Sequence, residues 1–422
     1  MALDLNPIRA QFPALSRPYI FLDNPGGTQI AKASLERIRG YLENHNANHG
    51  GTFRTSQESD ALVDASRQAA AEFLNASRPE EIVFGPNMTS LTFNISRSLG
   101  RVLKPGDTLV VTRLDHDANI SPWLLMAEDR GLNIRWVNFH KDTGLLDMDD
   151  MAAALNEKPA LVAVGYSSNA LGTINPIREI TALAHQAGAL IYVDAVQYAP
   201  HGPIDVQDLG VDFLVCSPYK FFGPHMGVLY GRYDLLESLP AYRVRPAPAH
   251  APGKFETGTG NFEHMAGLLG TLEYLEWLGN AYGEEHAELY ASHYKGRALA
   301  LKQAMSASRA YEYELSAALL DILTHTPGVH LYGPADPQHL DQRVPTFSFT
   351  VDGWSPEAVA AAFAQRSINL WNGNFYALAV TTHLGLEDRG GLVRVGAAHY
   401  NTLDEIGRFG EVLAELAAQR PQ

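Results

Sequence analysis

Short apolar runs alternate with helix-like stretches between about residues 80 and 232. Seven runs have the length and composition of buried strands: Glu81–Phe84, Thr108–Thr112, Ile134–Val137, Leu161–Val164, Leu190–Asp194, Phe213–Cys216 and Val228–Tyr230. Helical patterns separate them, as in residues 176–188, which start with Pro and end with Gly. Continuous apolar strands between helices are typical of strands buried on both faces, so the pattern predicts an α/β domain with a mainly parallel seven-stranded sheet covered by helices.

A Pro- and Gly-rich stretch at residues 239–260 ends this alternation. Beyond it the periodicity predicts helices at about 262–280, 283–308, 311–325, 355–366 and 402–418, and strands at Val344–Thr350 and Leu392–Gly396. This second pattern is typical of a small α+β domain. We therefore predict an N-terminal segment (1–19) that packs with the small domain, a large domain (20–275) and a small C-terminal domain (276–422).

Composition and charge argue against several classes of protein. The net charge of −15 argues against a nucleic-acid partner, which needs clustered basic residues. No apolar run approaches the roughly 20 residues that span a membrane, and the N-terminus lacks a signal pattern. The single cysteine, Cys216, excludes an intrachain disulfide framework. A cytoplasmic enzyme is expected, without a metal cluster and without the glycine fingerprint of dinucleotide-binding proteins.

Two strands of the predicted sheet end in residues of opposite charge. Asp194 ends one strand, and Lys220 follows another in the segment Ser217-Pro-Tyr-Lys220. Ligands bind at the carboxyl edge of such sheets. There a lysine can form a Schiff base with pyridoxal phosphate, while an aspartate keeps the pyridine nitrogen protonated. A capping Asp and a solvated Lys are the alternative for either residue alone.

Three other strand ends carry polar residues with a possible role. The segment after Phe84 opens a helix with Thr89 and Ser90, which could face an anion. His116 follows the next strand and could stack on a flat ring or move protons near pH 7. Asn169 offers an amide at the same edge. An ordinary helix cap, a surface histidine and a turn asparagine are the respective alternatives.

Taken together, six segments occur in an order that resembles one enzyme superfamily. They are His116, Asn169-Ala-Leu-Gly-Thr173, Asp194-Ala-Val-Gln197, Ser217-Pro-Tyr-Lys220, Glu256-Thr-Gly-Thr-Gly-Asn261 and Arg394-Val-Gly-Ala-Ala-His-Tyr-Asn401. Over roughly residues 20–418 the chain resembles the class V aminotransferases, specifically the cysteine desulfurase and selenocysteine lyase group. The resemblance implies the fold type I of pyridoxal-phosphate-dependent transferases.

It also implies roles for individual residues. Lys220 would carry the Schiff base, Asp194 would pair with the pyridine nitrogen, and His116 would stack over the ring. Cofactor contacts are implied for Gln197 and Asn169 at the phenolic oxygen, for Met88, Thr89 and Ser217 at the phosphate, and for Thr259 at the phosphate of a partner subunit. The last contact implies a homodimer with shared active sites. Arg394 would clamp the substrate carboxylate, and Arg54 lies where the family has an active-site loop.

The chain departs from the family at residues that matter for the reaction. Desulfurases receive sulfur on a cysteine in a loop of the small domain, and here Trp371-Asn-Gly-Asn-Phe-Tyr376 occupies that place, with Tyr376 near the cysteine position. The family's usual histidine before the lysine is Tyr219, and the second histidine of its His-His segment is Asp117. Tyr376, Tyr219, Arg54 and Asn372 are therefore the candidates for contacting the substrate side chain.

These features favour a carbon–sulfur lyase that performs β-elimination on cysteine or a cysteine conjugate. An aminotransferase and an amino-acid epimerase are alternatives, because all three share the removal of an α-proton. A persulfide-forming cysteine desulfurase is a further alternative, although this chain has no cysteine at the position that carries the persulfide in desulfurases. A non-catalytic binding protein with the same fold is the alternative of another class, and the presence of Lys220 with Asp194 and Arg394 argues against it.

Overall fold

A computed structural model describes residues 3–419, so residues 1–2 and 420–422 of the predicted terminal segments lie outside the described part. The helices are α1 Leu5–Arg9, α2 Lys32–Asn44, α3 Arg54–Leu74, α4 Met88–Leu99, α5 Ser121–Arg130, α6 Met148–Asn156, α7 Ile177–Ala187, α8 Val206–Leu209, α9 Tyr233–Ser238, α10 Phe262–Tyr282, α11 Ala287–Tyr290, α12 Gly296–His325, α13 Pro356–Ala364, α14 Leu378–Leu384 and α15 Leu403–Ala418. The strands are β1 Ile20–Phe21, β2 Ile82–Gly85, β3 Thr108–Thr112, β4 Asn133–Val137, β5 Leu161–Gly165, β6 Leu190–Asp194, β7 Phe213–Cys216, β8 Gly227–Gly231, β9 Val329–Tyr332, β10 Thr346–Val351, β11 Ile368–Asn369, β12 Trp371–Gly373 and β13 Leu392–Gly396.

The large sheet has the predicted seven strands, in the order β2-β8-β7-β6-β5-β3-β4. Only β8 runs opposite to the others, since it pairs antiparallel with both β2 and β7. Successive residues of the central strands enter different core clusters: Val162 and Val164 pack on one face, and Leu161 and Ala163 on the other. Both faces are therefore buried, which explains the uninterrupted apolar runs in the sequence.

Local signals explain where the helices begin and end. Gly188 follows α7 with φ +83°, in the left-handed conformation that glycine adopts without a steric cost. Thr402 and Glu405 form a capping box at the start of α15, in which each side chain binds the other's backbone N–H.

Among residues 3–419, no helix combines the length and apolarity that a membrane crossing requires.

The C-terminal part contains a four-stranded antiparallel sheet in the order β12-β13-β10-β9. The sequence predicted β10 and β13 only, because β9 and β12 are short and partly exposed and lack a continuous apolar run. The prediction of two helices at 283–308 and 311–325 was wrong: α12 is one helix of 30 residues, preceded by the short α11. No Gly or Pro interrupts residues 297–325, so the helix continues through the polar residues at its centre.

Arg9 and Phe12 contact both the small domain and the large domain. Arg9 forms an ion pair with Glu405 (2.9 Å) and donates to the carbonyl of Tyr400 (2.7 Å). The ring of Phe12 lies 4.7 Å from that of Tyr400 and 5.7 Å from that of Phe222, which follows the large-domain lysine segment. These contacts tie the N-terminus to residues on either side of the candidate site.

Gly172 lies where the large domain meets β10. Its φ is +79°, and a Cβ would lie 2.2 Å from the carbonyl oxygen of Thr346. We expect Gly172→Ala to lower the free energy of unfolding by about 2–4 kcal/mol. Two costs contribute: alanine is strained at this positive φ, and its Cβ would clash with the Thr346 carbonyl oxygen. The control is Gly188→Ala, where φ is +83° and no atom lies within 4 Å of the added Cβ, for an expected loss of about 1 kcal/mol. Equal losses in urea denaturation of the two variants would contradict a close contact at Gly172.

Candidate active site

The polar residues at the strand ends converge on one edge of the large sheet. Strands β3, β5, β6 and β7 are parallel, so the segments that follow them emerge on the same side. The residues at this edge are His116, Asn169, Asp194, Gln197, Ser217 and Lys220. All but His116, which is partly covered, are less than 9% exposed. Such a cluster of buried polar groups at a strand edge is the usual location of a ligand site in an α/β fold.

Lys220 is the central group of the cluster. It lies in a 3-10 turn after β7 and is 8% exposed. Its Nζ donates to the carbonyl oxygen of Pro25 in the N-terminal part of the chain. Burial and the nearby charge of Arg394 lower the pKa of Lys220 to about 7, although the carboxylate of Asp194 opposes the shift. A substantial fraction of the amine is therefore neutral, and hence nucleophilic, near neutral pH.

Asp194 lies at the end of β6, within electrostatic reach of Lys220. Burial raises the pKa of Asp194 to about 6, against the opposing effects of a hydrogen bond from the Val196 N–H (2.9 Å) and of the lysine charge. A second carboxyl, Asp115, is also buried, and burial raises its pKa to about 8, with the charge of Asp194 contributing. Asp194 is thus mainly ionised at pH 7, while Asp115 is mainly protonated.

His116 has a fixed orientation. Its Nδ1 accepts a hydrogen bond from the Ala118 N–H (3.0 Å), and its ring stacks on that of Tyr376 with centroids 5.6 Å apart and an interplanar angle of 14°. Burial and the charges of Lys220 and Arg394 lower its pKa to about 3. The imidazole is therefore neutral at pH 7, in contrast to the titration near neutrality that the sequence suggested, and a neutral ring remains suited to stacking.

Several buried polar atoms at this edge have no hydrogen-bond partner among the described residues. They are Asn169 Oδ1, Gln197 Oε1, Ser167 Oγ, Ser217 Oγ and Arg394 Nε. The nitrogen atoms of the two side-chain amides do have partners. Asn169 Nδ2 donates to the Phe375 carbonyl (2.8 Å), and Gln197 Nε2 donates to Thr346 Oγ1 (3.0 Å). Buried polar atoms are almost always paired in folded proteins. Their concentration here favours a polar ligand that supplies the missing partners.

The first turn of α4 provides a place for an anion. Asn87 caps the helix by accepting from the Ser90 N–H (2.8 Å), and Met88 and Thr89 are its first residues. One turn later, Thr92 Oγ1 lies 2.8 Å from the hydroxyl of Tyr192 on β6. The helix start is therefore attached to the central sheet, with backbone N–H groups and the positive end of the helix dipole at the edge.

Arg394 reaches the same edge from β13 of the small domain. It is 4% exposed, donates to the Asn169 carbonyl (2.9 Å), and lies over the ring of Phe375 at 4.3 Å. Burial lowers its pKa to about 9, against the opposing influence of Asp23 and Tyr219. Even so it is a cation at neutral pH, and its Nε is free to bind a carboxylate.

The remaining candidates are distributed differently. Tyr219 stacks on His225 (4.8 Å) with Lys220 Nζ 5.0 Å from its ring centroid, and Asn372 lies on β12 beside the strand of Arg394. Arg54 is not part of the cluster: its side chain is 90% exposed and pairs with Glu58 at 2.7 Å. Thr259 is exposed and lines a cleft of about 1150 Å³ whose lining does not include Lys220. Within one chain these two residues therefore do not meet Lys220.

Sequence patterns missed four residues of the site: Asp115, Pro25, Thr346 and Phe375. Asp115 and Phe375 are direct neighbours of His116 and Tyr376, so proximity was an available signal. Pro25 stands in the turn-rich segment Asp-Asn-Pro-Gly-Gly, residues 23–27, and only the fold brings its carbonyl to Lys220. Thr346 is 149 residues from its partner Gln197, and no local pattern indicates that contact.

Comparison with known proteins finds a matching family model, similar sequences and a similar structure. The family model described as aminotransferase class-V matches residues 20–305 and 296–409. An aminotransferase-like protein of Gibberella zeae is 36% identical, and a cysteine desulfurase of Pectobacterium atrosepticum is 31% identical, each over 97% of both chains. The structure is similar to an apo cysteine desulfurase from Thermococcus onnurineus NA1, with a TM-score of 0.87 and 28% identity over 99% of this chain and all of the other.

Proposed function

Because the chain belongs to the class-V aminotransferase family, whose cofactor is pyridoxal 5′-phosphate, we propose that it is a carbon–sulfur lyase acting by β-elimination on cysteine or a cysteine conjugate. The observation that carries the lyase proposal is the loop at 371–376. It belongs to a desulfurase-like fold, yet it presents Tyr376 and contains no cysteine.

The residues at the sheet edge fit this cofactor. Lys220 supplies an amine for the aldehyde, Asp194 a carboxylate for the pyridine nitrogen, and His116 a neutral ring for stacking. The Ser217 hydroxyl and the backbone N–H groups at the start of α4 can donate to the cofactor phosphate. The free amide oxygens of Asn169 and Gln197 only accept, so they can bind the phenolic group of the cofactor in its protonated form. When bound, pyridoxal phosphate withdraws electrons from the α-carbon of an attached amino acid.

The protein's own groups then account for the chemistry around the α-carbon. Arg394 binds the substrate carboxylate and so fixes the orientation of the α-carbon. The Lys220 amine, with its lowered pKa, accepts the α-proton and can return it to another atom. In β-elimination the Cα–H and Cβ–S bonds break, a thiol leaves, and hydrolysis of the released enamine consumes one water to give pyruvate and ammonia.

The persulfide alternative is not supported by the one cysteine of the chain. Cys216 is fully buried in β7, and burial raises the pKa of its thiol well above the ordinary value. A buried thiol with a raised pKa is a poor nucleophile. We therefore infer that sulfur leaves as a thiol or sulfide and is not transferred to this residue.

Incubation of the cofactor-loaded protein with L-cysteine, L-cystine and S-substituted cysteines tests the proposal. Pyruvate and ammonia are expected in equal amounts. One sulfur product is expected per turnover: sulfide from L-cysteine, the corresponding thiol from an S-substituted cysteine, and the persulfide thiocysteine from L-cystine. The absence of a keto acid from all of these substrates would overturn the lyase proposal. A second candidate, amino transfer, is favoured by the name of the Gibberella zeae relative. It predicts a new amino acid when a keto acid is supplied, with no release of ammonia.

We also infer a homodimer with shared sites. Residues 257–260 are exposed, and Thr259 lines the 1150 Å³ cleft together with Ser90 and His49. A second subunit at this cleft would bring Thr259 next to the first turn of a partner helix. Light scattering of the purified protein would test the inference, because a monomer at micromolar concentration would contradict it.

The rate at which the cofactor attaches should depend on pH in a particular way. A protonated amine does not attack an aldehyde, and the pKa of Lys220 is lowered to about 7. The rate of pyridoxal phosphate incorporation into cofactor-free protein should therefore rise through pH 7 and level off near pH 8. Borohydride reduction followed by peptide mass analysis measures attachment at residue 220. A rate that keeps rising to pH 10 would indicate an unperturbed lysine.

A further inference from the structure

Three aromatic side chains lie near Arg394 and His116. Trp371 lies directly opposite Arg394 in the β12–β13 ladder, so the two side chains project from the same face of the small sheet. Phe375 packs against the guanidinium at 4.3 Å, and Tyr376 stacks on His116. All three aromatic residues belong to the segment 371–376, which by sequence resemblance corresponds to the sulfur-carrying loop of desulfurases.

Trp371 is also connected to the amine of Lys220 through residues 25 and 26. A Cβ at Gly26 would lie 2.3 Å from the indole nitrogen of Trp371, so the indole occupies the space that this glycine leaves. The preceding residue, Pro25, accepts the hydrogen bond from Lys220 Nζ. The indole is thus one residue away from a group that touches the catalytic lysine.

The carbonyl oxygens of residues 375 and 376 accept hydrogen bonds from the large domain. Phe375 and Tyr376 both have left-handed backbone conformations, with φ of +57° and +58°. Their carbonyls accept from Asn169 Nδ2 (2.8 Å) and from the Asp117 N–H (2.7 Å). Two consecutive non-glycine residues hold this conformation only where the surroundings enforce it, which is common at ligand sites. The backbone that carries these two rings is therefore fixed beside the site.

Trp371 and Tyr376 nevertheless keep much of their surface accessible, 51% and 75% respectively. Exposed aromatic rings next to an arginine that binds the substrate carboxylate are suited to an apolar group attached to the same substrate. We propose that Trp371, Phe375 and Tyr376 form an aromatic wall that binds the β-substituent of the substrate, which is an S-arylmethyl or S-aryl cysteine conjugate. This inference rests on the proposed lyase function and specifies its substrate class.

The test compares S-benzyl-L-cysteine with L-cysteine in the cofactor-loaded protein. The kcat/KM for pyruvate formation should favour S-benzyl-L-cysteine by about tenfold or more, the scale of one well-packed aromatic contact. Trp371→Ala and Tyr376→Ala should each reduce this ratio several-fold, and Trp371→Phe should restore part of it. Leu125→Ala, which removes a 48% exposed side chain on α5, is the control and should leave the ratio unchanged.

A second measurement separates this inference from the lyase proposal. Binding of each amino acid is followed by the change in cofactor absorbance. Equal efficiency for both substrates, with equal ratios in the variants, overturns the aromatic wall and leaves the lyase in place. No pyruvate from either, with tighter binding of S-benzyl-L-cysteine that Trp371→Ala abolishes, overturns the lyase and supports the wall. No pyruvate and no binding preference overturns both.

Discussion

Lys220→Ala is expected to remove the visible absorbance band of the cofactor-loaded protein and to lower turnover by about 10³-fold or more. The variant loses both the amine that attaches the cofactor and the base that takes the α-proton. The fold should persist, because the side chain makes one hydrogen bond, to Pro25, and alanine fits at this position of a 3-10 turn. Absorbance spectra and single-turnover assays measure the two effects separately.

Lys302 offers a matched control. It is also a buried lysine, 1% exposed, and its amine donates to the Phe73 carbonyl (3.0 Å) and to that of Ile204. Burial lowers its pKa to about 8, so it resembles Lys220 in environment and differs in location. Lys302→Met should keep the absorbance band and lose stability only. A band that survives in Lys220→Ala, or disappears in Lys302→Met, would contradict the assignment of the attachment site.

The architecture was accessible from the sequence because a parallel sheet imposes strong local patterns. Buried strands appear as continuous apolar runs, and the residue after each run is placed at a known edge. Asp194 and Lys220 could therefore be predicted to meet, although each alone has an ordinary structural explanation. The same logic failed for β9 and β12, since short and partly exposed antiparallel strands lack such runs.

Contacts between distant parts of the chain were not predictable in this way. The carbonyl that holds Lys220 comes from residue 25, and the hydroxyl that holds Gln197 comes from residue 346. Both depend on how residues 23–27 and the small domain pack against the large sheet. The electrostatic consequences are equally non-local: the low pKa of His116 arises from burial and from the charges of Lys220 and Arg394.

Asp194→Asn should lower turnover by about 10²–10⁴-fold while the absorbance band remains. The substitution preserves size and removes the charge that favours a protonated pyridine nitrogen. Without that proton the ring is a weaker electron acceptor, so loss of the α-proton slows. Asp115→Asn is the comparison, because this second buried carboxyl accepts hydrogen bonds from Asn119 Nδ2 (2.8 Å) and from the Thr112 hydroxyl at the end of β3 and is mainly protonated at pH 7. Its replacement should cost no more than about tenfold, as expected for a residue that positions others.

The pH dependence of cofactor affinity shows whether Asp194 acts through its negative charge or through the shape of its side chain. Burial raises the pKa of Asp194 to about 6 in the cofactor-free protein, so its carboxylate gains a proton as the pH falls through 6. A protonated carboxyl no longer attracts a protonated ring, and the affinity of the wild-type protein should therefore decrease from pH 7 to pH 5. Asp194→Asn has no charge to lose and should be weaker at pH 7 with a flatter profile. Parallel profiles for the two proteins would mean that residue 194 acts through packing, and the carboxylate would then have to be sought elsewhere at the sheet edge.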